Sequence, residues 1–167
     1  MMSNYKLTVV VPTINTGIFL HESVGSIINQ SIGLENIEVI LVDDKSSDPL
    51  TLSIIDDYVS KYSNIRVIFL EENSGFPGKP RNVGIDASTS DYVIVMDHDD
   101  SYDLDAFKRL YDTIIKEKAD IVISNYQEVY EDKTVKPSIF GYDVDKIKIN
   151  SIDENLSFFD IAPSIWT

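Results

Sequence analysis

The stretch Tyr92-Val93-Ile94-Val95-Met96-Asp97-His98-Asp99-Asp100 decides how this chain is read. Its first five residues form a short apolar run, the pattern of a buried strand. Its last four place three carboxylates and an imidazole at that strand's carboxyl end. Carboxylates gathered there repel one another, and loss of water raises their free energy further. A positive group offsets that cost, and a divalent cation carrying a phosphorylated ligand is the natural candidate. Alone, the motif also fits a polar turn ahead of a helix, with Asp103 as the N-cap. What precedes it gives it weight.

Working outward, residues 7–11 are apolar and β-branched and stop at Pro12, which predicts a first strand. Leu20, Val24, Ile27 and Ile28 recur at helical spacing and predict a helix over 19–29. Residues 37–42 form a second buried strand, closed by Asp43-Asp44. Pro49 suits the first turn of the next helix, whose apolar face is Leu52, Ile55, Val59 and Tyr62. Residues 66–70 form a third strand. A loop rich in Gly, Asn and Pro follows, and Pro80 begins a short helix to Ala87. After the fourth strand, Leu104, Phe107, Leu110, Tyr111, Ile114 and Ile115 give the clearest amphipathic helix. Residues 121–124 predict a fifth strand. Strands alternating with helices at short intervals imply an α/β fold, a mainly parallel sheet with helices on both faces. Beyond Asn125 the pattern changes. Residues 126–135 read as a polar antiparallel hairpin, 141–150 as exposed chain and 153–159 as a short helix. The final Ile165-Trp166-Thr167 does not resemble a domain's natural end, so the chain is expected to be part of a longer protein.

At 167 residues and 43% hydrophobic content, the chain can bury a core of one domain. A formal net charge of -14 disfavours nucleic acid and anionic membrane surfaces as partners. The same charge opposes an anionic nucleotide unless a cation assists. The chain has no cysteine, which excludes disulfides, zinc thiolate sites and thiol catalysis. Residues 1–6 lack the apolar core of a signal peptide, and no stretch approaches membrane-spanning length. A cytoplasmic location is expected.

Each predicted strand hands over to polar residues. The first gives Pro12-Thr13-Ile14-Asn15, the second Asp43-Asp44-Lys45-Ser46-Ser47, the third a loop ending in Lys79-Pro80-Arg81-Asn82, and the fourth Asp97 to Asp100. In a parallel sheet these groups share one edge, where open α/β folds bind their ligands. Singly, Thr13 and Asn82 read as turn residues and Arg81 as evenly balanced between surface and site. His98 in an extended backbone would point away from its acidic neighbours. His21, on the first helix, reads as a surface residue. Together the four clusters predict a binding site.

In order and spacing, residues 9–15, 42–48, 75–82 and 96–100 resemble the family 2 glycosyltransferases. The likeness runs from Leu7 to about Ser124 and extends toward Trp166. It implies the GT-A fold: a single nucleotide-sugar-binding domain over 1–167, with 6–124 as its α/β core and 125–167 as the start of an acceptor-side part. It implies a nucleotide-sugar donor, UDP-linked in the usual case, and a glycan or lipid-linked acceptor. Mn2+ or Mg2+ is the implied cofactor. The implied nucleotide-binding residues are Pro12, Thr13, Asn15, Asp44, Lys79, Arg81, Asp97 and His98, and the implied metal ligands are Asp99 and Asp97. Asp43 is implied to support the loop of Asp44, which contacts the base. Asp100 assists the metal or the sugar. Ile14 stands where the family often has an aromatic residue. Lys45 replaces a frequent glycine, which asks for a different local backbone. The catalytic base has no convincing match. Asp153, Glu154 and Asp160 are poorly placed, so the base is expected beyond Thr167 and the chain alone is expected to bind donor without transferring sugar.

Two other classes stay open at this stage. A phosphotransfer or receiver-type domain also gathers acids around Mg2+, but places key acids after the first strand, where this chain has none. A non-catalytic nucleotide-binding module would use the acids as solvated surface.

Overall fold

The computed structural model describes residues 5–129 and 135–138. Strands β1 (Leu7–Thr13), β2 (Ile37–Asp43), β3 (Ile65–Phe69) and β4 (Val93–Val95) form one parallel sheet in the order β3-β2-β1-β4. Helices α1 (Phe19–Ile28), α2 (Pro49–Lys61) and α3 (Gly78–Asp86) make the crossovers, and α4 (Ala106–Glu117) follows β4. Every residue of β1 and β2 is buried. Successive side chains of a strand face opposite sides, so unbroken burial means that both faces of the sheet are covered. The mainly parallel, doubly covered sheet is therefore the predicted one.

The core on one face is Val10, Ile40 and Val42, with Ile68, Leu70, Val83, Ala87 and Val93 packed against it. Each fully buried Val or Ile contributes about 1.5–3 kcal/mol relative to exposure. Helix α3 lies on this face through Gly84, where a Cβ would overlap Val10 and reach within 3.1 Å of Val42. The far end of α3 is tied down by a buried polar group that the hydrophobic pattern does not reveal. Glu38 of β2 is 4% exposed. It accepts hydrogen bonds from Thr8 Oγ1 (2.7 Å), Thr89 N (2.9 Å) and Thr89 Oγ1 (3.0 Å), and pairs with Arg66. Arg66 also donates to the carbonyl of Ala87, just past the end of α3. Burial alone would push the Glu38 carboxyl up. The Thr8 and Thr89 hydrogen bonds and the Arg66 charge outweigh burial and hold it below the usual value. The C-terminus of α3 is thus fixed at the amino end of the sheet, and its N-terminus points to the carboxyl edge.

Several expectations shift. β1 does not stop at Pro12 but pairs with β2 through Thr13↔Asp43. Its pairing with β4 does end early, at Val10↔Val95. Proline has no N–H to donate, so it closes the ladder on one side and leaves the other intact. The buried face of α2 is Thr51, Ile54, Ile55 and Tyr58 rather than Leu52, Ile55, Val59 and Tyr62. Thr51 turns the helix inward because its hydroxyl accepts from Gly17 N (2.8 Å) and donates to Asp48 Oδ2 (2.7 Å). Pro49 does occupy the first turn, and Asp48 caps it. Helix α4 begins at Ala106, so Asp103 is not its N-cap. Asp103 contributes instead its carbonyl, which accepts from Ala106 N at 3.0 Å.

The first compact unit reaches Lys108 and the second begins at Arg109. The second holds most of α4 and an antiparallel pair, β5 (Tyr126–Val129) with β6 (Val135–Ser138), as the hairpin pattern predicts. The strand expected over 121–124 does not form. Ile121 and Ile123 are 49% and 48% exposed. Four residues, three of them apolar, cannot hold a strand without a neighbour to take up their backbone N–H and C=O groups. The segments 141–150 and 153–159, with Asp153, Glu154 and Asp160, lie outside the described residues. No helix among the described residues is long and apolar enough to cross a membrane.

Candidate functional site

The order β3-β2-β1-β4 reverses direction at β1: β2 and β3 are added on one side and β4 on the other. Crevices in open α/β sheets open at such a reversal, outside the carboxyl ends of the two diverging strands. Pro12 releases β1 from β4 at that place. The residues after β1, β2 and β4 and those at the N-terminus of α3 therefore meet on one edge.

On the β1–β2 side the polar groups are interlocked. Asp44 donates its N–H to Thr13 O at 2.8 Å. Its carboxylate is 5% exposed as a residue and accepts from Ser74 N (2.9 Å, Oδ1) and Ser74 Oγ (2.7 Å, Oδ2). Asp43, also buried, accepts from Ser46 N at 2.8 Å and from the Ser46 hydroxyl. Ser46 Oγ in turn accepts from Asn15 N at 2.9 Å. Asn15 Oδ1 receives the N–H groups of Ser47 (2.8 Å) and Asp48 (2.9 Å). Asn15 is thus a strut between two loops, and its φ of 46° is one that asparagine tolerates better than most residues. Thr13 is buried and its hydroxyl donates to Val11 O at 3.2 Å. Pro12 is buried within β1.

On the β4–α3 side, Arg81 Nη2 donates to Asp97 Oδ1 at 2.5 Å. Two buried polar atoms lack a partner here, Arg81 Nε and His98 Nδ1. An unmet buried donor costs about 1–3 kcal/mol, so such atoms mark places that a ligand can satisfy. The acidic segment is not extended. It turns, with Asp100 N donating to Asp97 O at 3.1 Å, so the predicted orientation of His98 does not apply. The Asp100 carboxyl is raised, first by loss of water and then by the Asp99 and Asp97 charges beside it. Asp99 is exposed, and Lys79 is exposed in the first turn of α3.

The segment after the acidic turn is held by Ser26 of α1 and by Gln30 just past its end. Gln30, 4% exposed, donates through Nε2 to Asp103 O (2.7 Å) and accepts through Oε1 from Phe107 N (2.9 Å). Ser26 Oγ accepts from Tyr102 N at 3.2 Å. Gln30 and Ser74 escaped the sequence reading, since neither belongs to an apolar period or a charged cluster, and Ser46 stood in the second polar cluster without a role of its own.

Asp97 and Asp99 offer hard oxygen donors. Among the described residues no three His, Asp or Glu side chains converge as a cation site. Two carboxylates fit a divalent cation that takes its remaining oxygens from a diphosphate and water.

The chain matches the family described as Glycosyl transferase family 2 over residues 8–163. It belongs to that family. It is 35% identical over 124 residues to the poly(ribitol-phosphate) beta-glucosyltransferase of Bacillus spizizenii, covering 74% of this chain and 19% of that protein. It is 33% identical over 136 residues to the poly(ribitol-phosphate) beta-N-acetylglucosaminyltransferase TarP of Staphylococcus aureus, covering 81% of this chain and 41% of TarP. The crystal structure of S. aureus TarS 1-349 in complex with UDP-GlcNAc superposes with a TM-score of 0.64 at 36% identity, covering 68% of this chain and 32% of that one. The chain thus spans between about a fifth and two fifths of these relatives' length. The fold is that of the GT-A glycosyltransferases.

One departure from the family 2 pattern resolves differently from expectation. Lys45 adopts φ 64°, the left-handed conformation that glycine takes without cost. The backbone here is one that suits glycine, and the lysine bears the strain.

Proposed function

We propose that this chain is the donor-binding part of a glycosyltransferase that uses a UDP-sugar, of the UDP-glucose or UDP-GlcNAc type, and passes the sugar with inversion to a polyol-phosphate polymer of the cell envelope. The single observation that carries the reading is the Arg81–Asp97 ion pair beyond β4, at the same carboxyl edge where Asp44 follows β2 and at the reversal of strand order. The similarity to poly(ribitol-phosphate) glycosyltransferases supports the donor and acceptor classes.

Asp44, held by Ser74, accepts the N–H of the base. A carboxylate accepts only, so it favours uracil, which presents N3–H, over cytosine, which presents a lone pair there. Thr13 and Pro12 wall the nucleoside. Asn15 acts through the loops it joins. Arg81, Lys79 and the N-terminus of α3 attract the diphosphate, and His98 Nδ1 meets one of its oxygens. Asp99 and Asp97 hold Mn2+ or Mg2+, which neutralises charge on the departing diphosphate. Deprotonation of the acceptor hydroxyl needs a separate carboxylate, and none of the described residues is assigned that role.

Calorimetry on the chain tests this. UDP is expected to bind with Mn2+ and at least tenfold more weakly without it or in Asp99→Ala. Equal binding with and without metal would remove the proposal.

A further inference from the structure

The Arg81–Asp97 ion pair occupies one of the carboxylates that the proposed function gives to a cation. The side chains are 29% and 45% exposed. An arginine placed only to neutralise a carboxylate tends to engage it with two parallel N–H bonds. Arg81 spends Nη2 on a single oxygen, Asp97 Oδ1, while its Nε is buried with no acceptor. The guanidinium is therefore half committed. Its base is fixed, because α3 rests on Val10 through Gly84, three residues further along. Asp97 is also half committed, since Arg81 touches only one of its two oxygens.

We infer that Arg81 is a stand-in for the cation. In the ligand-free protein it neutralises Asp97. When metal and diphosphate arrive together, Asp97 passes to the metal and the guanidinium, with its waiting Nε–H, passes to a phosphate oxygen. No bond is made or broken except hydrogen bonds and coordination. The inference rests on the reading of Asp97 and Asp99 as metal ligands. It gives Arg81 opposite effects on the two ligands. Cation alone must displace Arg81 from Asp97 and so binds weakly. Cation with nucleotide supplies Arg81 with a new partner and binds well. A positive charge that merely repelled metal from a distance would not depend on Asp97.

The test titrates Mn2+ alone, followed by the loss of its free electron paramagnetic resonance signal, into the wild-type chain, Arg81→Gln, Asp97→Asn and the double variant. Calorimetry then measures UDP at saturating Mn2+. Arg81→Gln is expected to bind Mn2+ alone about fivefold more tightly, the scale of a partly exposed ion pair. That gain should vanish in the Asp97→Asn background, and UDP affinity should fall at least tenfold in Arg81→Gln. Unchanged or weaker Mn2+ binding in Arg81→Gln overturns the inference, as does an equal gain when Asp97 is already asparagine. If Arg81→Gln melts early, Arg81→Met carries the same expectations. A wild-type chain that binds UDP only with Mn2+, yet gives either contrary result, keeps its proposed function and loses the stand-in. One that binds UDP without metal loses both.

Discussion

Gly84 of α3 sits directly on Val10 of β1, so closely that a Cβ at residue 84 would overlap one Val10 methyl and lie 3.1 Å from the other. Val10 and Val42 beneath it are fully buried and packed on all sides, so neither can withdraw. This contact sets the height of α3 above the sheet. Arg81 lies nearly one turn toward the helix N-terminus and takes its position from the same contact.

Gly84→Ala therefore brings two effects into competition. Alanine favours a helix by about 1 kcal/mol over glycine. Overpacking a rigid core costs about 1–3 kcal/mol, and here the added methyl meets side chains that have no room. Net destabilisation is expected in urea unfolding, together with a several-fold loss of UDP affinity as Arg81 is lifted from the crevice. A stabilised Gly84→Ala would show that the helix can slide, and the account of Arg81's placement would fail.

Glu38 should make the fold acid-sensitive. Its folded pKa is depressed, so its contribution is present above the unfolded value near 4.5 and is lost as pH falls through the folded value. Arg66 is 40% exposed on its side chain, which screens that pair. The hydrogen bonds from Thr8 and Thr89 carry most of the effect. Glu38→Ala removes the acceptor that Thr8 and Thr89 share and should cost about 1–3 kcal/mol at pH 7. The gap between wild type and variant should narrow as pH drops below 4.5. A gap independent of pH would mean that the carboxylate's charge does not matter.

The strands and their order of polar handovers were legible because buried parallel strands are near-continuous apolar runs, and β1 and β2 are such runs. The phase of α2 was not, because a hydroxyl decides it: Thr51 reaches Gly17, 34 residues away. The same holds for Ser74, 30 residues from Asp44, and Gln30, 77 from Phe107. Single long-range hydrogen bonds leave no period in a sequence. The span 121–124 failed for the opposite reason. Its local pattern suits a strand, but a strand exists only with a partner. Lys45 shows a third kind of gap, since a side chain alone does not announce a left-handed φ.

Asn15 separates two accounts of the β1–β2 side. As a direct nucleotide ligand, its loss would weaken UDP binding and leave stability unchanged. As the strut that joins Ser47 N and Asp48 N to the β1 loop, its loss should lower both UDP affinity and stability. Asn15→Ala removes the acceptor for two N–H groups and places alanine at φ 46°, so about 1–2 kcal/mol of stability should go. Asn15→Asp keeps the accepting oxygen, and carboxylates suit the N-terminal end of α2 just beyond. It should melt close to wild type and, if the loop geometry is what matters, retain UDP affinity within a few-fold. Asn15→Gly relieves the backbone but not the missing bonds, and should fall between the two. Thermal melting beside calorimetry reads all three. A normal melt in Asn15→Ala with UDP binding lost would return Asn15 to the ligand-contacting set.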